Sequence, residues 1–411
     1  MKYRHLIGLR EGNDDPIYTY ASSLVHDHYI KQYVIEVLKS HTIHLAEQQI
    51  IPEEIEKQVI EVLEDLANEP LPEQGYEDVF EWIEDMLEEK TNGNSKWIWI
   101  GRSRNDHVSA ALRLYTRDKL SEATSLIHKT IKVLDYLKDE YRGVLIPLFT
   151  HRIPSQIGTI DCLVEAWKTI YDTSQRILEN AHTIVNRGPL GAGAGAGTLA
   201  PLDQERLNMS LGFRETLTSS IYASGSRLDL AVAVDSASLV LLELTRIATD
   251  LVMYQAPPYK IMIIPDSHIA TSSIMPHKRN PVTLEALLGK ASKAIGCSTA
   301  FKTTMIKLPS GYSLDLQEVN PCLYETMETL VSSLQVMKNI FNELRIDVKQ
   351  AEEIALSSKA WSAELAEKIA LEEGIPLRDS YKKTVGLLEQ VRDPRELLEK
   401  RKTGCVLERG N

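Results

Sequence analysis

Cysteine is scarce in this chain, and its positions follow no recognisable pattern. The four cysteines are Cys162, Cys297, Cys322 and Cys405, scattered along 411 residues. Because none of them are paired at short spacing, the sequence predicts neither a disulfide framework nor a zinc site. Scattered cysteines of this kind are typical of a reducing compartment, so we expect a cytoplasmic protein.

Long apolar runs and an excess of basic charge are also missing. No uninterrupted apolar stretch reaches the roughly 18 residues of a membrane helix. Residues 1–5 lead into charge instead of the apolar segment of a signal peptide. The chain has 46 Lys+Arg against 58 Asp+Glu, a net charge of -12, whereas nucleic-acid binding requires a basic face. We therefore expect a soluble globular protein that binds neither membranes nor nucleic acid, although a local basic pocket for a small anion is compatible with this charge.

Strand signals are sparse, and the chain is predicted to be all-α. Five long stretches, largely free of proline, exceed the mean helix length of about 11–12 residues; they are 108–141, 155–187, 218–254, 281–304 and 321–344. Helices of this length predict a bundle. Residues 228–254 are apolar on more than one face, which is typical of a helix buried at the centre of an oligomeric bundle.

Shorter helical patterns flank this central part. Residues 52–66 place apolar side chains at helical spacing, and 360–373 form an amphipathic stretch followed by Gly374 as a plausible C-cap. The pattern divides the chain into an N-terminal helical domain (1–106), a central bundle of long helices (107–347) and a small C-terminal helical domain (348–411).

The segment 271–281 carries the strongest functional signal. Two hydroxyls, Ser272 and Ser273, precede a dense cationic group, His277, Lys278 and Arg279, and Asn280 follows before the proline that begins a helix. A basic surface loop is the simpler alternative. The order of the residues favours a loop that holds carboxylates and delivers one reactive side chain.

Other polar segments stand at predicted helix starts. Residues 101–106 place Arg102 and Arg104 with Asn105 before a long helix, where they can bind carboxylates, although Arg102 can instead pair with an acidic neighbour. His151 follows Thr150 at the start of another predicted helix and can exchange a proton near neutral pH. Glu285 can orient an imidazolium and raise its pKa, or can be a surface charge at a helix start.

Two further loops are ambiguous by themselves. Residues 308–318 contain Tyr312 and Gln317, which are either substrate hydrogen-bonding groups or parts of an ordinary capped turn. The glycine-rich run 188–197 is either a flexible linker or a place where backbone approaches a ligand closely. It lacks the Lys-Ser/Thr ending of a phosphate-binding loop.

These segments, in this order, resemble the fumarase/aspartase superfamily over nearly the whole chain. Segment 272–281 is similar to the mobile signature loop of the superfamily. Within it, residues 101–114, 23–27, 189–193 and 308–318 resemble the argininosuccinate lyase family. The resemblance implies a three-domain, all-α fold whose long helices form the core of a homotetramer, with each active site assembled from three chains. It also implies that no metal or organic cofactor takes part.

The resemblance implies reversible β-elimination of argininosuccinate to arginine and fumarate. Ser273 is then the base that removes the proton, assisted by Lys278, and His151, oriented by Glu285, is the acid toward the leaving guanidinium. The residues implied to hold the substrate are Ser23, Ser103, Arg104, Asn105, Thr150, Asn280, Tyr312 and Gln317.

The chain departs from the family pattern at several polar positions. Phe80 stands where a His is usual, Arg152 and Asn320 replace other family residues (Asn320 a Lys), and Leu228 replaces an Arg before Asp229. The His277-Lys278-Arg279 order is more similar to adenylosuccinate lyase, which is the alternative substrate class. A crystallin-like structural protein is the non-enzymatic alternative, against which the presence of His151 and Ser273 argues.

Overall fold

The computed structural model describes residues 20–391 and 393–405. Fourteen α-helices account for most of this part of the chain, as predicted. They are α1 (Lys31–Glu47), α2 (Glu53–Asn68), α3 (Val79–Lys90), α4 (Arg104–Glu140), α5 (Ile160–Val185), α6 (Gln204–Ser210), α7 (Ser220–Gly225), α8 (Leu228–Gln255), α9 (Val282–Thr304), α10 (Asn320–Glu343), α11 (Val348–Ser357), α12 (Ser362–Glu373), α13 (Leu377–Leu387) and α14 (Arg395–Leu398). In the part of the chain that these ranges cover, no helix is long and apolar enough to cross a membrane. The segment 1–5, on which the prediction about a signal peptide rests, lies outside the described residues.

In the described part of the chain, short strands connect the helices in four two-stranded pairs. They are β1 (Leu145–Thr150) with β2 (Ile153–Thr159), β3 (Arg187–Gly188) with β4 (Glu215–Thr216), β5 (Met262–Ile263) with β8 (Arg345–Ile346), and β6 (Ala270–Thr271) with β7 (Arg279–Asn280). Only β3 and β4 run parallel. Only the β1–β2 hairpin is longer than two residues, so strands contribute little to the described core.

The described residues divide into two compact units, each assembled from three segments. The first unit contains the residues up to Thr124, Ile177–Leu239 and Lys293–Val331, and the second contains Ser125–Arg176, Val240–Ser292 and the residues from Ser332 onward. Every boundary falls inside one of the five longest helices. The proposed division at 106 and 347 follows sequence composition and remains a prediction.

The helices of the first unit form where apolar residues recur at helical spacing. In α2, Ile55, Val59, Val62, Leu63 and Leu66 are all buried on one face, as the pattern over 52–66 predicts. A second cluster joins α1, α4 and α6 through side chains such as Val37, Leu114 and Leu207. This packing holds the N-terminal end of α4 against the segments around it.

Trp361 belongs to a cluster of buried residues in the second unit. Leu145 and Ile157 from the hairpin pack in the same cluster as Trp361 and Leu365. Helix α12 ends at Gly374, which adopts a left-handed conformation (φ 65°), as the sequence predicts.

The expectation of no disulfide is wrong for one pair of cysteines. Cys162 in α5 and Cys405 are bridged, with their Cα atoms 5.8 Å apart. Arg401 donates to the carbonyl of Ile157 at 2.9 Å, so the end of the described chain lies beside the start of α5. The sequence separation of 243 residues is the reason that no spacing rule revealed the pair.

Two of the predicted long helices differ from the prediction, one in its start and one because it is divided. The helix expected over 155–187 starts only at Ile160, because residues 153–159 form β2. The stretch 218–254 is divided into α7 and α8 by Ser226 and Arg227. The other three long stretches are helical within a few residues of the predicted bounds.

Candidate active site

A cavity of about 260 Å³ lies in the first unit, and we call it the Arg104 cavity. Five segments of the chain line it, including the start of α4, the α7–α8 junction and the loop before α10. Five residues singled out from the sequence meet here: Ser23, Arg104, Asn105, Tyr312 and Gln317. Since these residues span almost 300 positions of sequence, tertiary folding alone brings them together.

One wall of the cavity is organised around the buried carboxyl group of Asp27. The Ser23 hydroxyl donates to Asp27 Oδ2 at 3.0 Å, and the Val79 N–H donates to the same oxygen at 2.9 Å. Burial raises the pKa of Asp27 to about 7, and the neighbouring charge of Asp78 adds to the effect. Asp27 thus orients Ser23 toward a fixed partner and carries a proton that exchanges near neutral pH.

Arg104 brings positive charge to a group of acidic side chains. Its guanidinium lies 3.1 Å from Asp78 Oδ2, 3.3 Å from Glu77 Oε2 and 3.4 Å from Glu84 Oε2. Burial acts to lower the pKa of Arg104, but the carboxylates, Asp78 foremost, raise it above its ordinary value. Arg104 therefore reaches the cavity already paired, and its charge is compensated by protein carboxylates.

Ser103 and Asn105 begin α4 next to this arginine. The Ser103 hydroxyl accepts from the Asn105 N–H at 3.2 Å, and the Ser103 N–H donates to Asp106 Oδ1 at 2.9 Å. These bonds satisfy backbone groups at the helix start. Asn105 lines the cavity, whereas Ser103 serves the turn that positions it.

The surroundings of α4 also explain two motifs that the sequence left ambiguous. Arg102 pairs with Glu84 at 2.8 Å and lies 3.9 Å above the ring of Trp99, so it is the structural ion pair considered as the alternative. Asp106 Oδ2 accepts from the Gly193 N–H at 2.8 Å. The glycine-rich segment is therefore held against α4 by a hydrogen bond from its backbone to the Asp106 side chain.

Tyr312 and Gln317 enter the cavity from the loop before α10. Gln317 Nε2 donates to the carbonyl of Ala21 at 2.7 Å, which ties this loop to the segment that carries Ser23. Burial raises the pKa of Tyr312, which keeps its hydroxyl protonated. A Cβ at Gly225 would lie 2.6 Å from the Ser310 carbonyl oxygen, so only glycine allows the loop with Tyr312 to approach α7 this closely.

The second unit carries His151 at the tip of the β1–β2 hairpin. Thr150 and Ile153 are paired in the strands, so His151 and Arg152 form a two-residue turn with φ of 53° and 64°. The prediction that His151 stands at a helix start is wrong, because the chain continues as β2 before α5. Positive φ at two non-glycine residues is costly. At this tip, His151 and Thr150 are exposed to solvent.

The signature segment 271–281 forms an exposed loop in the second unit. Its base is the β6–β7 pair, in which Ala270 is opposite Asn280. The Ser272 hydroxyl accepts from the Met275 N–H at 3.1 Å, whereas Ser273 and Lys278 face solvent and Asn280 is half-buried. Helix α9 follows directly, and Glu285 is exposed in its first turn. The loop therefore presents the predicted base and cation without committing either to another side chain in the described residues.

The sequence motifs assign no role to Asp27, Arg227 or Asn320, which line the cavity. Asp27 lies within the family-like segment 23–27, and Asn320 is a departure from the family pattern. The family pattern has its arginine one position after Arg227, at Leu228. A charged residue between two apolar helical stretches is the signal that marks Arg227, and it is buried in the Arg104 cavity.

Comparison with known proteins places this arrangement in a family. A family model described as Lyase matches residues 9–296. Argininosuccinate lyase of Pyrobaculum islandicum is 37% identical over 384 residues, covering 92% of this chain and 88% of that protein. The corresponding figures for argininosuccinate lyase of Pyrococcus furiosus are 34% over 374 residues, 90% and 81%.

Solved structures agree with the fold. An EDDS lyase variant with bound fumarate is similar at a TM-score of 0.80 and 20% identity, covering 92% of this chain and 77% of that one. A class II fumarase from Schistosoma mansoni reaches a TM-score of 0.77 at 14% identity, covering 94% and 93%. The predicted all-α fumarase/aspartase-like fold is thus confirmed, and the chain is a carbon–nitrogen lyase that belongs to the argininosuccinate lyase family.

Proposed function

We propose that this chain cleaves argininosuccinate reversibly to arginine and fumarate, a step of arginine biosynthesis. The observation that carries the proposal is the meeting of Ser23, Asn105, Tyr312 and Gln317 in one cavity of a chain of this family. A cavity that combines acidic side chains with amide and hydroxyl groups suits the cationic, multiply hydrogen-bonding arginine portion of the substrate.

The proposed chemistry is an elimination. Ser273 Oγ, as an alkoxide, removes a proton from the succinyl carbon beside a carboxylate, and the electron pair moves into that carboxylate as an aci-carboxylate. The pair then forms the double bond of fumarate as the C–N bond breaks, and the leaving nitrogen takes a proton from His151, which Glu285 orients. An ordinary serine is too weak a base, so Lys278 and backbone N–H groups of the closed loop must favour the alkoxide.

The remaining predicted residues complete this proposal as carboxylate-binding groups. They are Thr150, Asn280, Ser103, Arg104 and Asn105, which hold carboxylates of the substrate. As the resemblance to the superfamily implies, we propose that each active site of a homotetramer is shared between chains. No cofactor takes part in the proposed reaction.

When argininosuccinate is added, the purified protein is expected to release fumarate, which is measured by the rise in its absorbance. The same preparation given adenylosuccinate should produce no signal, although the His277-Lys278-Arg279 order favours that substrate. Cleavage of adenylosuccinate alone would replace the substrate and keep the mechanism. If neither substrate yields fumarate, the enzymatic proposal is refuted and the crystallin-like structural role remains.

Exposed leucines on α8 support the proposed tetramer. The helix is apolar on most faces, yet Leu228, Leu239 and Leu242 remain 55%, 51% and 46% exposed in the single chain. Their burial between chains would stabilise an assembly. Light scattering is expected to give four times the chain mass of 46.3 kDa, and a monomer at micromolar concentration would refute the shared site.

We also keep a cytoplasmic location as a proposal. Cys297 and Cys322 are free thiols, as expected in a reducing compartment. The Cys162–Cys405 bridge is compatible with this location, because intracellular proteins of some organisms contain disulfides. Recovery of the protein outside the cytoplasmic fraction of its cells would contradict this location.

A further inference from the structure

Arg227 is a buried cation without a carboxylate partner. The residue stands between α7 and α8, is 1% exposed and lines the Arg104 cavity. Its Nη1 donates to the carbonyls of Ser226 at 3.0 Å and Ser224 at 3.3 Å, while its buried Nε has no hydrogen-bond partner. Throughout residues 20–391 and 393–405, no carboxylate lies within ion-pair distance of this guanidinium.

The nearest acid in sequence is already committed elsewhere. Both carboxylate oxygens of Asp229 accept from Arg113 Nη2 at 3.1 Å, and Arg187 Nη2 adds a bond at 3.2 Å. Within the cavity, Glu77 and Asp78 face Arg104. Burying an unpaired charge is costly, and burial accordingly lowers the pKa of Arg227 to about 10. An anion that enters the cavity would relieve this cost.

Asn320 provides an unsatisfied acceptor in the same cavity. The residue is 7% exposed, and its Oδ1 is buried without a hydrogen-bond partner. Both residues line the cavity, and each carries a buried polar atom without a partner, a donor on Arg227 and an acceptor on Asn320. A zwitterionic amino acid carries the two complementary groups, a carboxylate and an ammonium. The succinyl end of the substrate has two carboxylates and no cation, so it matches this arrangement and the surrounding acids poorly.

We propose that Arg227 binds the α-carboxylate of the arginine portion of the substrate and that Asn320 Oδ1 accepts from its α-ammonium. The assignment rests on the proposed function and names the pair of residues that selects an amino acid over a simple amine. The centroid of the Tyr312 ring lies 5.9 Å from the guanidinium, and Tyr312 lines the same cavity. Arg227 thereby supplies a cation in a chain that has Asn320 where the family pattern has a Lys.

Binding of arginine and agmatine tests this assignment, because agmatine keeps the guanidinium and the amine but lacks the carboxylate. Calorimetry on the purified protein is expected to show that wild type prefers arginine. Arg227→Gln should weaken arginine binding by about 10- to 100-fold, as for a lost hydrogen bond to a charged group, and change agmatine binding less than threefold. Arg227→Lys should keep part of the preference, because it retains a cation for the carboxylate.

Arg206→Gln is the matched control, since Arg206 is an exposed arginine of the first unit that pairs with Glu47. This substitution should change the binding of neither arginine nor agmatine. Equal losses for arginine and agmatine in Arg227→Gln would indicate a structural role and overturn the assignment. If that variant does not fold, a wild-type preference below tenfold overturns it instead. Wild type that releases fumarate while failing these tests refutes Arg227 alone, whereas wild type that neither cleaves argininosuccinate nor binds arginine refutes the proposed function as well.

Discussion

Replacing Ser273 with alanine is expected to lower kcat for fumarate release by about 10²- to 10⁴-fold, the usual contribution of a positioned acid or base. Alanine has no oxygen to accept the proton, and the adjacent Ser272 hydroxyl is engaged by the backbone N–H of Met275. KM for argininosuccinate should change little, because the proposed role of Ser273 is in the transition state. Steady-state kinetics with fumarate absorbance measure both constants.

Ser272→Ala is the matched comparison for this experiment. Ser272 is the adjacent serine of the same loop, and its hydroxyl accepts from backbone N–H groups of Ile274 and Met275 instead of being free. Its removal should loosen the turn and cost less activity than the loss of Ser273. A larger loss of kcat in Ser272→Ala than in Ser273→Ala would contradict the proposal that Ser273 is the base.

Replacing Asp229 with alanine is expected to lower the free energy of unfolding by about 3–5 kcal/mol, the typical cost of breaking a buried ion pair. Asp229 and Arg113 are both 0% exposed, and Asp229 is also the partner of Arg187. Without the carboxylate, the Arg113 guanidinium stays buried with only Ser109 as a hydrogen-bonding partner. Guanidinium-induced unfolding monitored by circular dichroism measures the change.

Asp235→Ala provides the control on the same helix. Asp235 is 40% exposed and pairs with Lys302 at 2.7 Å, and a surface ion pair contributes about 0–1 kcal/mol. The double change Arg113→Met with Asp229→Leu should recover part of the stability, since it removes the unpaired charge. Equal destabilisation by Asp229→Ala and Asp235→Ala would show that the buried pair contributes no more than a surface pair.

Local patterns predicted the helices well where the physical signal is local. The apolar spacing over 52–66 becomes α2, and Gly374 ends α12, because side-chain periodicity and left-handed backbone preference act within a few residues. The sequence does not predict the β1–β2 hairpin, because its local turn signal is absent. Its turn residues, His151 and Arg152, are not the Asn or Gly that usually marks such a turn.

The candidate site was predictable only in part. Ser23, Arg104, Asn105, Tyr312 and Gln317 were named from motifs, and the structure brings them into one cavity. Motifs do not reveal charge balance, which is why Arg104 was expected to be available for a substrate although Asp78, Glu77 and Glu84 already compensate it. They also hid Arg227, whose significance depends on the partners that it lacks.

The sequence by itself determined the helical class, the family and the residue types that carry the chemistry, because periodicity and motif order are properties of neighbouring residues. Only the tertiary structure decided which polar groups are satisfied. It paired Asp229 with Arg113 instead of its neighbour in sequence, bridged Cys162 with Cys405, and left Arg227 and Asn320 with unsatisfied atoms in one cavity. Hydrogen bonding, ion pairing and desolvation depend on distances in space, and folding brings those distances about between residues far apart in the chain.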